Sequence, residues 1–167
     1  MQSWTRLDPA QNHDVWDRFF SEFNFRPSIF SKDWPSIHSS LPRLKLDIME
    51  CYREGYNHDN LLILEDLAQD IFRKITDTGE TMLALDWQHD SFEFYPHMDM
   101  PRDPELDEWP VPVLPNGDYY IFITKDFRNL WFGHPWEESI TLVGAEITSA
   151  AQPLTQKFVE LNFSLLS

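Results

Sequence analysis

The chain has a single cysteine, Cys51, among its 167 residues, so no internal disulfide is available to it. Glycine is also scarce, at 5 residues. A loop that cradles phosphate needs closely spaced glycines so that backbone N–H groups can approach the anion, and no such run exists here. A Gly-x-Ser-x-Gly nucleophile turn is missing as well. Basic residues are few: Lys and Arg total 13 against 28 Asp and Glu, a formal charge of −15. Nucleic-acid binding relies on cationic side chains that displace counterions, and anionic lipid surfaces repel a protein of this sign. Apolar runs such as Leu61-Leu62-Ile63-Leu64 are far too short to span a bilayer. The first residues, Met1 to Asp8, lack the apolar stretch of a secretory signal, and neither end carries a lipidation motif. These absences predict a cytoplasmic protein with no nucleic-acid partner, no membrane partner, no cofactor and no bound metal.

What the chain does have is aromatic bulk. Aromatic residues make up 15% of it, with 7 Trp and 13 Phe, inside a hydrophobic fraction of 42%. Each such side chain buries a large area, so a few can dominate a core. At this length, one domain over 1–167 is the expectation.

Hydrophobic spacing assigns the elements. A helix is predicted from about Pro9 to Asn24, capped by Asp8, with Val15, Phe19 and Phe23 recurring every fourth residue. Residues 26–42 read as loop. Leu44, Leu46 and Ile48 alternate with polar neighbours, as in a half-buried strand. A second helix, from Asn57–Asn60 to about Thr76, carries the stripe Leu64, Leu67, Ala68, Ile71, Phe72 and Ile75. Beyond Gly79 the period switches to that of strands. Met82–Trp87 and Ser91–Tyr95 form a hairpin about Gln88-His89-Asp90, and Tyr119–Thr124, Leu130–Gly133 and Ser139–Val143 make a meander. Helical segments follow Gly144, and Phe158, Leu161 and Leu165 suggest a last docked helical piece. Residues 96–117 are rich in proline and hold an acidic cluster, predicting an exposed loop. The fold class is α+β: a two-layer, mostly antiparallel sheet with helices packed on one face.

Chemistry has few places to sit. Asp86, His89, Asp90, Glu93, His97 and Asp99 concentrate histidine and carboxylate, but their spacing fits no zinc pattern, and a polar hairpin end explains them. His134 and Glu137, in the turn Gly133-His134-Pro135-Trp136-Glu137, make an acid–base pair if folded together. Catalytic candidates are therefore His89, His134, Glu137 and Asp86, set against a purely structural turn. Cys51, read as the end of a strand, fits an inert buried thiol. Asp99, Asp103, Glu105, Asp107 and Glu108, with Trp109 beside them, form the candidate binding surface: charge steers a basic partner and the aromatic anchors it.

Several stretches resemble an uncharacterised family of small bacterial proteins, a domain of unknown function. They are Trp16-Asp17 with Phe19, Phe25-Arg26-Pro27-Ser28, Ala84-Leu85-Asp86-Trp87-Gln88-His89, Pro115-Asn116-Gly117-Asp118-Tyr119-Tyr120 and Phe132-Gly133-His134-Pro135-Trp136-Glu137. The resemblance implies a bacterial source and one domain, and brings no catalytic residues with it. The sequence-based expectation is an acidic protein-binding domain, in the manner of an immunity or antitoxin-like protein masking a basic partner. A small metal-dependent or acid–base enzyme and a non-enzymatic structural or regulatory module are the alternatives.

Overall fold

The computed structural model describes residues 2–53 and 57–166. Strand β1 (Trp4–Arg6) leads into helix α1 (Pro9–Phe23). The helix starts where predicted because Asp8 accepts a hydrogen bond from the Gln11 N–H at 2.8 Å while the Gln11 side chain accepts from the Asp8 N–H at 2.9 Å. This reciprocal cap, with Pro9 at the first position, satisfies N–H groups that have no partner inside the helix. Strand β2 (Arg43–Asp47), a short helix α2 (Met49–Arg53) and the long helix α3 (His58–Lys74) follow. Next come β3 (Met82–Asp86), β4 (Phe92–Phe94), β5 (Tyr120–Thr124), β6 (Leu130–His134) and β7 (Ser139–Val143). Helices α4 (Ala145–Ala151) and α5 (Thr155–Glu160) and strand β8 (Ser164–Leu166) complete the fold.

The strands form one sheet in the order β1-β4-β3-β5-β6-β7-β2-β8, with every neighbouring pair antiparallel. The chain is therefore α+β, as its sequence indicates. Strands β3, β5, β6 and β7 are buried along their whole length. They carry apolar residues on both faces, so both faces need cover. Met82, Ala84, Phe122 and Trp131 point into a core shared with α3, α4 and α5. Leu83, Leu85, Ile121, Ile123 and Phe132 point into a second core with Phe19 and Phe23 of α1. Helix cover on a single face thus holds for α2 to α5, while α1 lies on the opposite face. Phe72 of α3 is fully buried and stacks on Phe122 with ring centres 5.2 Å apart.

Residues 96–117 contain no helix or strand, but they are not an exposed loop throughout. Trp109, Val111, Val113 and Leu114 are buried in the α3-side core, and the Trp131 indole N–H donates to the Val113 carbonyl at 3.2 Å. Cys51 lies in helix α2 and is buried, rather than ending a strand. Leu165 belongs to the edge strand β8, not to a final helix. Among the described residues, no helix is long and apolar enough to cross a membrane.

Candidate functional site

One end of the sheet collects the stretches that carry the family resemblance. Asp86 at the end of β3 pairs with Tyr120 at the start of β5. Tyr120 pairs in turn with Gly133, next to the end of β6. The Phe25–Ser28 stretch joins them from the side: the Ser28 N–H donates to the Tyr119 hydroxyl at 3.0 Å, and that hydroxyl donates to the Ser28 carbonyl at 3.2 Å. Gly133 eases the closeness of this end. A Cβ there would stand 3.2 Å from Pro115 Cβ and 3.3 Å from the Tyr120 carbonyl oxygen.

Two carboxyl groups meet beneath this surface. Asp86 and Asp118 are 5% and 4% exposed. Asp86 Oδ1 accepts from the Gln88 N–H at 3.0 Å and the His89 N–H at 3.1 Å, while Asp118 Oδ1 accepts from the Tyr119 N–H at 2.7 Å. His89 Nδ1 lies 3.2 Å from Asp86 Oδ1 and 3.6 Å from Asp118 Oδ2, with 72% of its side chain exposed. Among the described residues, His89 is the only ion-pair partner of either carboxylate. Burial, then the hydrogen bond and charge of Asp86, push the Asp118 carboxyl up to about 7. The hydrogen bond and charge of Asp86 also raise the His89 imidazole. Two buried carboxyls without a lysine or arginine neighbour make it costly to ionise both.

Beside this pair opens a cleft of about 420 Å³, lined in part by Ile29, Phe30, Trp87, Asp118, Tyr119 and Trp136. Ile29 is 58% exposed, Phe30 60%, Trp87 38% and Trp136 49%. Large apolar side chains left open around a concavity mark a contact site more than scattered surface residues do. Trp87 is braced from behind by Trp16 and Phe25, with ring centres at 5.4 and 5.5 Å.

His134 has a different place from the one its sequence suggests. It is fully buried. Its Nδ1 accepts from the backbone N–H groups of Trp136 at 3.2 Å and Glu137 at 3.0 Å. The ring proton therefore sits on Nε2 and is donated to Ser36 Oγ at 3.0 Å. Burial lowers the imidazole to about 4. The Glu137 carboxylate turns away, to Lys45 Nζ and to the Ser139 hydroxyl at 2.6 Å. The side chains of His134 and Glu137 form no acid–base pair; His134 shapes the turn that presents Trp136.

The acidic residues of the 96–117 segment are spent largely on its own structure. Arg102 bonds Glu65 of α3 at 2.7 Å and Asp107 at 2.6 Å, and His58 reaches Asp107 at 2.8 Å. Asp103 caps the turn that follows, accepting from the N–H groups of Glu105 and Leu106. Trp109 is 3% exposed and packs against Phe122 at 6.0 Å, so it is a core residue and not a surface anchor. Asp99 and Glu105 remain exposed and Glu108 is half-buried. The histidine–carboxylate run of the hairpin disperses too: Asp90 pairs with Arg6, Glu93 with Lys125, and His97 hydrogen-bonds Thr76. Only Asp86 and His89 stay together. Their third member, Asp118, had only its Pro-Asn-Gly-Asp turn to mark it.

No solved structure matches the chain. Over 154 residues it is 34% identical to the uncharacterized protein YxiI of Bacillus subtilis strain 168, an alignment covering 90% of this chain and 93% of that protein. The family model described as "Protein of unknown function (DUF2716)" matches residues 6–148, a span that runs from β1 into α4 and takes in the cleft and the buried carboxyl pair. The chain belongs to the DUF2716 family of proteins of unknown function.

Proposed function

We propose that this is a binding protein that seats a basic partner protein in the aromatic cleft at the motif-bearing end of its sheet. The observation that carries this reading is the ring of exposed Ile29, Phe30, Trp87 and Trp136 around a concavity that also has Asp118 in its wall. Aromatic faces attract ammonium and guanidinium groups, and a nearby carboxyl adds charge complementarity. The charge of −15 steers a cationic partner inward from a distance. The acidic segment contributes to that field through Asp99 and Glu105, while Asp107 serves Arg102 and Asp103 the local turn. An immunity- or antitoxin-like masking role is the form this takes when the partner is a harmful basic protein. The lone, buried Cys51 fits a reducing, cytoplasmic setting.

A regulatory or structural module with no steered partner would use the same apolar surface, and salt separates the two readings. The test is stoichiometric capture from a lysate of the source cells by the wild-type chain, by Trp136→Ala and by Asp99→Lys/Glu105→Lys, at low and high salt. The expected result is one basic partner, captured in equal amount, lost with Trp136→Ala and weakened by salt. Reversing the two loop charges slows its association but leaves the complex. Capture that ignores salt points to the unsteered module. Capture that survives Trp136→Ala and vanishes with the loop reversal would return the site to the acidic segment.

A further inference from the structure

We propose that Asp86, His89 and Asp118 form a binding site for a divalent transition cation of the zinc class. This goes beyond partner docking and stands without it. One nitrogen and two oxygens, from a β-strand end, the turn after it and the lead-in to β5, lie within 4.8 Å of one another. In a tetrahedral site with bonds of about 2.0–2.2 Å, neighbouring ligand atoms stand roughly 3.3–3.6 Å apart. His89 Nδ1 lies 3.2 Å from one carboxylate oxygen and 3.6 Å from the other, so two of the three separations are already close to those of such a site.

Three further features favour a cation there. First, both aspartates are almost wholly buried, yet among the described residues neither has a lysine or arginine partner. Buried negative charge calls for a compensating positive one. Second, backbone N–H groups hold the oxygens in place. The Tyr119 N–H holds Asp118 Oδ1 and the Gln88 N–H reaches Asp118 Oδ2 at 3.3 Å, while the N–H groups of Gln88 and His89 hold Asp86 Oδ1. Outer contacts of this kind orient metal ligands. Third, His89 is largely exposed, so the ion would be open on one side. Three protein ligands with one open position is the arrangement that leaves room for water or a ligand group. Because Asp118 also lines the aromatic cleft, that open position lies beside whatever fills the cleft.

The experiment is a calorimetric titration of metal-stripped protein with Zn²⁺, repeated with Co²⁺ to read coordination from its visible absorption. The expected result is one ion per chain, bound at least about tenfold more weakly by His89→Ala and by Asp118→Asn. Asp99→Asn/Glu105→Gln on the acidic segment leaves it unchanged. His89 is exposed, so His89→Ala keeps the fold, and an unchanged melting temperature without metal verifies this should Asp118→Asn fold poorly. No binding by the wild-type chain, or binding that His89→Ala leaves intact, overturns the proposal.

Discussion

At the scale of single residues, the imidazole of His134 and the carboxylate of Glu65 are buried groups whose surroundings have measurable consequences. His134 is held at about 4 against an ordinary 6.5. Between those values the unfolded chain takes up a proton that the folded chain refuses, so stability is lost as the pH falls from about 6.5 toward about 4 and is fully present above that window. The loss amounts to about 3 kcal/mol if the whole shift is expressed. Denaturant melts of the wild type and of His134→Asn across this range should show that slope in the first and not in the second. Glu65, which is 3% exposed, is compensated by Arg102. Arg102→Ala leaves that carboxylate buried with one partner fewer and should cost about 1–3 kcal/mol. Glu65→Gln/Arg102→Ala should recover part of the loss, because the uncompensated charge is gone.

At the scale of elements, the helices and central strands were legible because their apolar periods are strong and local. Phe19 and Phe23 on α1, Ile71 and Phe72 on α3, and the buried runs of β3 and β5 fold as their spacing says. The 96–117 segment was not, because prolines and acids suggested solvent. Its second half alternates all the same. Trp109, Val111 and Val113 turn inward, while Pro110 faces out and Pro112 is half-buried. The prolines bar a hydrogen-bonded ladder without preventing the side chains from packing. Trp109→Ala should therefore destabilise the fold by about 3–5 kcal/mol in a denaturant melt, as a core residue does, whereas an exposed tryptophan would cost little. The short strands β1 and β8, of three residues each, are too brief to carry a period. Asp118's meeting with Asp86 depends on the register of β3 against β5, which no local pattern encodes, so of the carboxyl site only Asp86 and His89 could be named from the sequence.

At the scale of the whole molecule, the acidic excess acts on folding and on association with opposite signs. A charge of −15 repels itself in the compact state and attracts a basic partner. Salt screens both effects. Raising ionic strength should lift the melting temperature of the isolated chain and weaken the captured complex over the same range, a pairing that calorimetry and capture measure separately. A melting temperature that falls with salt would mean that the internal ion pairs, those of Arg102 above all, outweigh the global repulsion.

The order of strands also sets a timetable. The pairs β3–β4, β5–β6 and β6–β7 join strands close in the chain, and β3 meets β5 across residues 87–119, but β2 pairs with β7, Lys45 opposite Thr141, and β1 with β4, Trp4 opposite Phe94. A chain emerging from the ribosome can zip its central meander as it appears. Strand β2, made early, has to wait for β7 before it has a neighbour to bond. Closing that long span costs chain entropy before any contact repays it, so the middle of the sheet is expected to form before the flank carrying β2 and β8.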